Sequence, residues 1–78
     1  IMIGYSQKIA EANAKADTTM LGVRLGNMCI KQGVSVIDIA NHLKISRTAV
    51  YNWFTGLNDV SSQYEQEVKN LIDWLKRA

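Results

Sequence analysis

Proline is missing from the sequence altogether, and its 78 residues include one cysteine and one histidine. A lone Cys29 cannot close an intramolecular disulfide, and Cys29 with His42 cannot supply the ligands of a tetrahedral metal site. No cofactor or metal is expected, and this cysteine usage is compatible with a reducing cytoplasm. No run of ~18 apolar residues occurs, so no membrane-spanning helix is expected. The opening stretch IMIGYSQKIAEANAKAD lacks the continuous apolar segment of a secretory signal. With Ile rather than Met first, the sequence is expected to begin inside a longer product.

Charge of one sign is also scarce. The formal net charge is +2 and the isoelectric point about 8.9. The excess lies in residues 1–32, where Lys8, Lys15, Arg24 and Lys31 stand against Glu11 and Asp17, and the rest of the chain balances to zero. A protein holding DNA by electrostatics alone would be more basic. Catalytic groupings are absent too. The acids are scattered, there is no Ser/His/Asp or Cys/His set in a recognisable context, and no glycine loop for phosphate. No enzyme is expected. The length allows one domain at most. A domain of ~60 residues buries only roughly 60% of its unfolded surface, so stability is often supplemented by oligomerisation or a partner at this size.

What is present is helical periodicity. Residues from Ser6 to about Ala16 are alanine-rich, with Ser6 a possible N-cap and a thin apolar face of Ile9, Ala12 and Ala16. This segment, residues 1–17, reads as a marginal helix or as an arm that orders on contact. Asp17 or Thr18 then opens a helix to about Gln32, with Met20, Leu21, Leu25, Met28 and Cys29 as its buried stripe and Gly33 as its stop. Cys29 reads as a small core residue. Gly22 and Gly26 form GxxxG, which Arg24 and Asn27 exclude from lipid. Two glycines cost about 1 kcal/mol each in a helix, which points to close approach of another helix, from residues 5–16 or from a second subunit.

Ser35 opens a helix over about Val36–Leu43. VSVIDIA alternates briefly, but Ile37, Ala40 and Leu43 also fit a helical face. Ser46 caps a further helix from Arg47 to about Phe54, ended by Thr55-Gly56, and Asn58-Asp59 favours a turn. Ser62-Gln63-Tyr64-Glu65 reads as a capping box. It opens a last helix with the stripe Tyr64, Val68, Leu71, Ile72 and Leu75. The expected fold is therefore all-α, a compact bundle of four to five short helices.

Two short helices joined by a tight turn, the second serine-capped, form a helix-turn-helix pattern. Ala40 is small where the second helix crosses, Leu43 and Ile45 plug the corner, and Val50 and Trp53 pin the second helix to the core. The outward residues are Ser46, Arg47, Thr48, Tyr51, Asn52 and Thr55. On these residues the stretch GVSVIDIANHLKISRTAVYNWFTG resembles the helix-turn-helix of the Cro/repressor (lambda-repressor-like) family of phage and bacterial regulators. The resemblance covers roughly residues 18–77, and residues 18–78 would form the DNA-binding domain. Three departures stand out. Lys44 occupies a turn position where the family commonly has glycine, at a cost of about 1 kcal/mol. Val36 stands where the family often has a phosphate-contacting glutamine. The chain ends soon after the fourth family helix, where many members have a fifth.

The resemblance implies a sequence-specific transcriptional regulator, repressor or activator, of a phage or mobile element, acting in the cytoplasm. It implies double-stranded DNA with a near-palindromic operator as the partner and a homodimer as the binding unit, with no membrane and no small-molecule substrate. Helix 47–54 would enter the major groove. Arg47 and Thr48 would face base edges, Arg47 with the bidentate geometry that guanine accepts. Asn52 would reach a base or phosphate, and Tyr51 a thymine methyl or phosphate. Ser46 at the helix N-terminus would hold a phosphate, with Lys44 and Thr55 as further backbone contacts. The plainer alternatives are a solvated charge for Arg47, a ring laid flat on the core for Tyr51, and a surface residue for His42. Trp53 reads as core. Trp74 falls off the main stripe of its helix, at a partner interface or at the core edge. The dimer surface is placed on the last helix with the N-terminal segment. The competing functions are a protein-docking module of the same fold and a recombination accessory factor that bends DNA.

Overall fold

The computed structural model describes residues 7–77. Among these residues there are five α-helices and no strand: α1 (Gln7–Lys15), α2 (Leu21–Gln32), α3 (Val36–Leu43), α4 (Arg47–Phe54) and α5 (Glu65–Arg77), the last preceded by a 3-10 turn over Ser62–Tyr64. The first segment is thus helical from Gln7, and the cap expected at Ser6 lies outside the described residues.

Helix α2 is the centre of the molecule. It packs on α4 and α5, α3 lies against α4, and α1 covers α2 and α4. Leu25 and Cys29 of α2, Ile39 and Leu43 of α3, Val50 and Phe54 of α4, and Val68, Ile72 and Leu75 of α5 form one buried core. Val36 rather than Ile37 turns inward on α3, and Ile37 is exposed. Val23 and Phe54 are fully buried although neither belongs to the expected stripes. At the edge of the core, the rings of Trp53 and Tyr64 meet at 5.9 Å with a 52° tilt.

The GxxxG pair explains the α2–α4 contact. A Cβ at Gly22 would stand 2.6 Å from the Trp53 Cβ, and one at Gly26 would stand 2.7 Å from the Phe54 Cγ and from the Asn13 Nδ2. The partners are α4 and α1 of the same chain. Asn13, 3% exposed, is the one buried polar residue among the described residues. Its Nδ2 donates to the Val23 carbonyl at 3.1 Å and to the Phe54 carbonyl at 2.7 Å. A buried amide is stable only when so satisfied. These bonds, with Ile9 packed against the core, fasten the thin helix α1 to α2 and α4.

Helix starts follow two patterns. Ser35 accepts from the Ile37 and Asp38 amides, and Ser46 accepts from the Ala49 amide, as serine caps should. The expected cap of α2 is corrected. Asp17 spends its carboxylate on the Thr19 amide and hydroxyl, at 2.9 and 2.7 Å, and these bonds hold it below the usual carboxylate pKa. Helix α2 therefore starts at Leu21, with Met20 in the cap position making no side-chain bond. The Gly22 amide is met instead by the Asp59 carboxylate at 3.2 Å, from the loop between α4 and α5. The expected capping box is corrected too: Ser62 opens the 3-10 turn, and α5 begins at Glu65. Glu65 and Glu67 in the first turn of α5 and Lys76 and Arg77 in the last match the helix dipole.

Candidate functional site

The corner between α3 and α4 is built from its backbone. Lys44 ends α3 in the left-handed region, φ 59° and ψ 45°, and donates its amide to the Ala40 carbonyl. The Ile45 amide bonds the same carbonyl at 3.0 Å. The pattern is the left-handed stop that glycine usually supplies, and here a lysine supplies it. Ile45 then packs against the core and Ser46 begins α4. The corner needs only three residues because both helix ends are satisfied within it.

Helix α4 has two unlike sides. Val50, Trp53 and Phe54 are buried, whereas Lys44, Ser46, Arg47 and Thr48 are all exposed at the corner and first turn. At ~100° per residue, Thr48, Asn52 and Thr55 fall opposite the buried side, and Arg47 sits at its rim on the open N-terminal end. Among the described residues the one ion pair is Lys69–Glu65, so Arg47 and Lys44 carry no acidic partner. The Ser46 oxygen serves the Ala49 amide at 3.2 Å. The amides of Arg47 and Thr48, in the first turn, stay open to an acceptor.

The remaining expected residues are less free. Tyr51 is half-buried with its side chain packed against the core. The Thr55 hydroxyl donates to the Tyr51 carbonyl at 2.9 Å. A phosphate accepts hydrogen bonds only, so Thr55 can serve one only by giving up that bond. Asn52 is half-buried, and its carbonyl accepts from the Leu57 and Asn58 amides at 3.0 and 3.3 Å, which ties the α4 C-terminus to the following loop. The corner thus brings Lys44, Ser46, Arg47 and Thr48 together, and Tyr51, Asn52 and Thr55 lie further along with smaller reach.

Two features away from this face bear on chemistry. Cys29 is fully buried, and burial pushes its thiol up to about 12, so it holds its proton and is unreactive in the folded chain. Among the described residues no three His, Cys, Asp or Glu side chains gather as a metal site, and no helix is long and apolar enough to cross a membrane. A cleft of about 520 Å³ lies beside α5, lined by Glu67, Asn70, Leu71 and Trp74 of that helix and by His42 of α3. Its sequence signal was the position of Trp74 off the buried stripe.

Fold and site together define a small all-α chain with one polar, cation-bearing corner set above a sealed core. Comparison with protein-family models, with curated proteins and with solved structures finds no match.

Proposed function

We propose that the chain is a sequence-specific DNA-binding transcriptional regulator, with α3 and α4 as a helix-turn-helix and α4 as the helix that enters the major groove. One observation carries this reading: Lys44, Arg47 and Thr48 stand exposed and without side-chain partners at the open end of a helix whose other side is sealed. Such a helix is held rigidly from behind and offers donors in front. Arg47 presents a fork that fits the O6 and N7 of guanine, and Thr48 sits beside it for a neighbouring base. Lys44, with the free amides of the α4 first turn, suits the flanking phosphates. The modest charge fits a binding unit of two copies on a near-palindromic operator, with half-sites ~34 Å apart or a multiple. The chain then acts on transcription in the cytoplasm, as the Cro/repressor resemblance implies.

Selection of bound duplexes from a random DNA library tests the reading, with Arg47→Ala carried in parallel. The expected result is a two-fold motif, with the variant losing about 1–3 kcal/mol and relaxing the preference at one base of each half-site. No enrichment, or a motif indifferent to Arg47→Ala, overturns it. The competing reading, a protein-docking module, draws on the open cleft beside Trp74. It predicts no motif and partner binding unchanged by Arg47→Ala.

A further inference from the structure

The surplus of positive charge lies in residues 1–32, and the corner between α3 and α4 uses none of it. On α2 that surplus includes Arg24, which shares one face of the helix with Asn27 and Met28, three and four residues on. Lys76 stands four residues beyond Ile72 on α5. Helices α1 and α5 both pack on α2. Where the three meet, a hollow of about 310 Å³ opens, with Arg24 and Asn27 on its α2 wall and Lys76 on its α5 wall. Val23, Met28 and Ile72 give it an apolar lining, and Asn13 of α1 helps to close it. That third wall is fixed in place, because the Asn13 amide is bonded to the Val23 and Phe54 carbonyls.

Two cations thus line one apolar hollow. Both are exposed, and neither has an ion-pair partner among the described residues. No acid is part of the lining. Asp17, close by in sequence, spends its carboxylate on Thr19. Asp73 shares the adjoining groove with Arg24 and Lys76 but forms no ion pair with either, so one acid stands against two cations there. Like charges on facing walls favour an anion between them. Ligand pockets combine an apolar lining with a few convergent polar groups, from ~300 Å³ upward. We propose that this hollow binds a small organic oxyanion, a carboxylate or a phosphate ester with a compact apolar body. The Arg24 fork takes two oxygens of the anionic group, and Lys76 meets it from α5 as a point charge. The Asn27 amide adds a neutral donor. The apolar body covers Val23, Met28 and Ile72, which a bare inorganic ion would leave in water. The site uses no residue of the α3–α4 corner and does not rest on the DNA-binding reading.

Amide-resolved NMR titration of the full chain without DNA reads the site, with benzoate, phenyl phosphate, inorganic phosphate and neutral benzamide each taken to ~10 mM. The expected result is saturable shifts at Arg24, Asn27, Met28 and Lys76 with benzoate or phenyl phosphate. Inorganic phosphate and benzamide should bind there about fivefold more weakly or worse. Whichever organic anion binds more tightly identifies the oxyanion. Arg24→Gln and Lys76→Gln should each weaken binding about fivefold or more. Asp73→Asn should tighten it, and Arg47→Ala should leave it unchanged. Thermal melting of each variant checks that folding is intact, as expected for exposed positions. No saturable shift at these residues, or shifts confined to the first turn of α4, overturns the proposal. So does benzamide or inorganic phosphate binding as tightly as the organic anions, or binding indifferent to Arg24→Gln and Lys76→Gln. Because DNA is absent, failure here leaves the duplex-selection outcome untouched, and the reverse holds as well.

Discussion

The two tryptophans stand in opposite environments, and the contrast separates the inner face of α4 from the outer face of α5. Trp53 is 4% exposed, with its Cβ against Gly22 and its ring beside Tyr64. Trp74 is 66% exposed and lines an open cleft. The same side chain is structural in one place and surplus to the fold in the other. What decides is the register of each residue against its neighbours: Trp53 follows Val50 by three, whereas Trp74 lies off the line of Val68, Ile72 and Leu75. The sharpest way to break the comparison is truncation. Trp53→Ala should cost about 3–5 kcal/mol in denaturant unfolding. Trp74→Ala, measured on dilute monomer, should stay within ~0.5 kcal/mol. Equal losses at the two positions would show that the outer face of α5 belongs to the core.

The inner face can be probed a second way, from the α2 side. Alanine normally stabilises a helix by about 1 kcal/mol over glycine. At Gly22 the new Cβ would meet the Trp53 Cβ at 2.6 Å and the Trp53 Cα and carbonyl oxygen at 3.0 Å, so α4 itself would have to move. Gly22→Ala should therefore destabilise by about 1–3 kcal/mol despite its better propensity. A stabilised variant would mean that α4 gives way freely. The face that would read DNA would then lack the rigid backing on which its precision depends.

These contrasts also show how far the sequence could be read. The starts of α3 and α4 and the stops of α2 and α4 were legible because Ser35, Ser46, Gly33 and Gly56 act through bonds within their own turns. The α5 stripe was legible because its period is clean. The start of α2 was not, because its amide partner is Asp59, distant in sequence, while the nearby Asp17 is held by Thr19. The anchor of α1 was hidden for a similar reason. Asn13 looks like one polar residue among alanines, and only the packed chain brings the Val23 and Phe54 carbonyls to it. For the candidate site, the order Lys44, Ser46, Arg47, Thr48 was visible as helix-corner chemistry. The half-burial of Tyr51 and the bond that occupies the Thr55 hydroxyl depend on where the core lies, which local spacing does not specify.

The smallest expected effect sharpens the comparison at the backbone, where Gly33 and Lys44 take the same left-handed conformation at φ 71° and 59°. Gly33 adopts it freely, since a glycine has no Cβ to clash. Lys44 adopts it at a cost of about 1 kcal/mol. Lys44→Gly should thus raise stability by roughly that amount in thermal or denaturant unfolding. On the DNA-binding reading the same change removes a cation from the corner. Affinity should fall evenly across sequences, with the slope of log K against log salt shrinking by about one. A variant that is more stable and binds less would mean that the lysine is kept at the corner for its charge rather than for the turn. A variant that is more stable and binds as well would move Lys44 off the phosphate-facing side and leave Arg47 and the first-turn amides to hold the backbone alone.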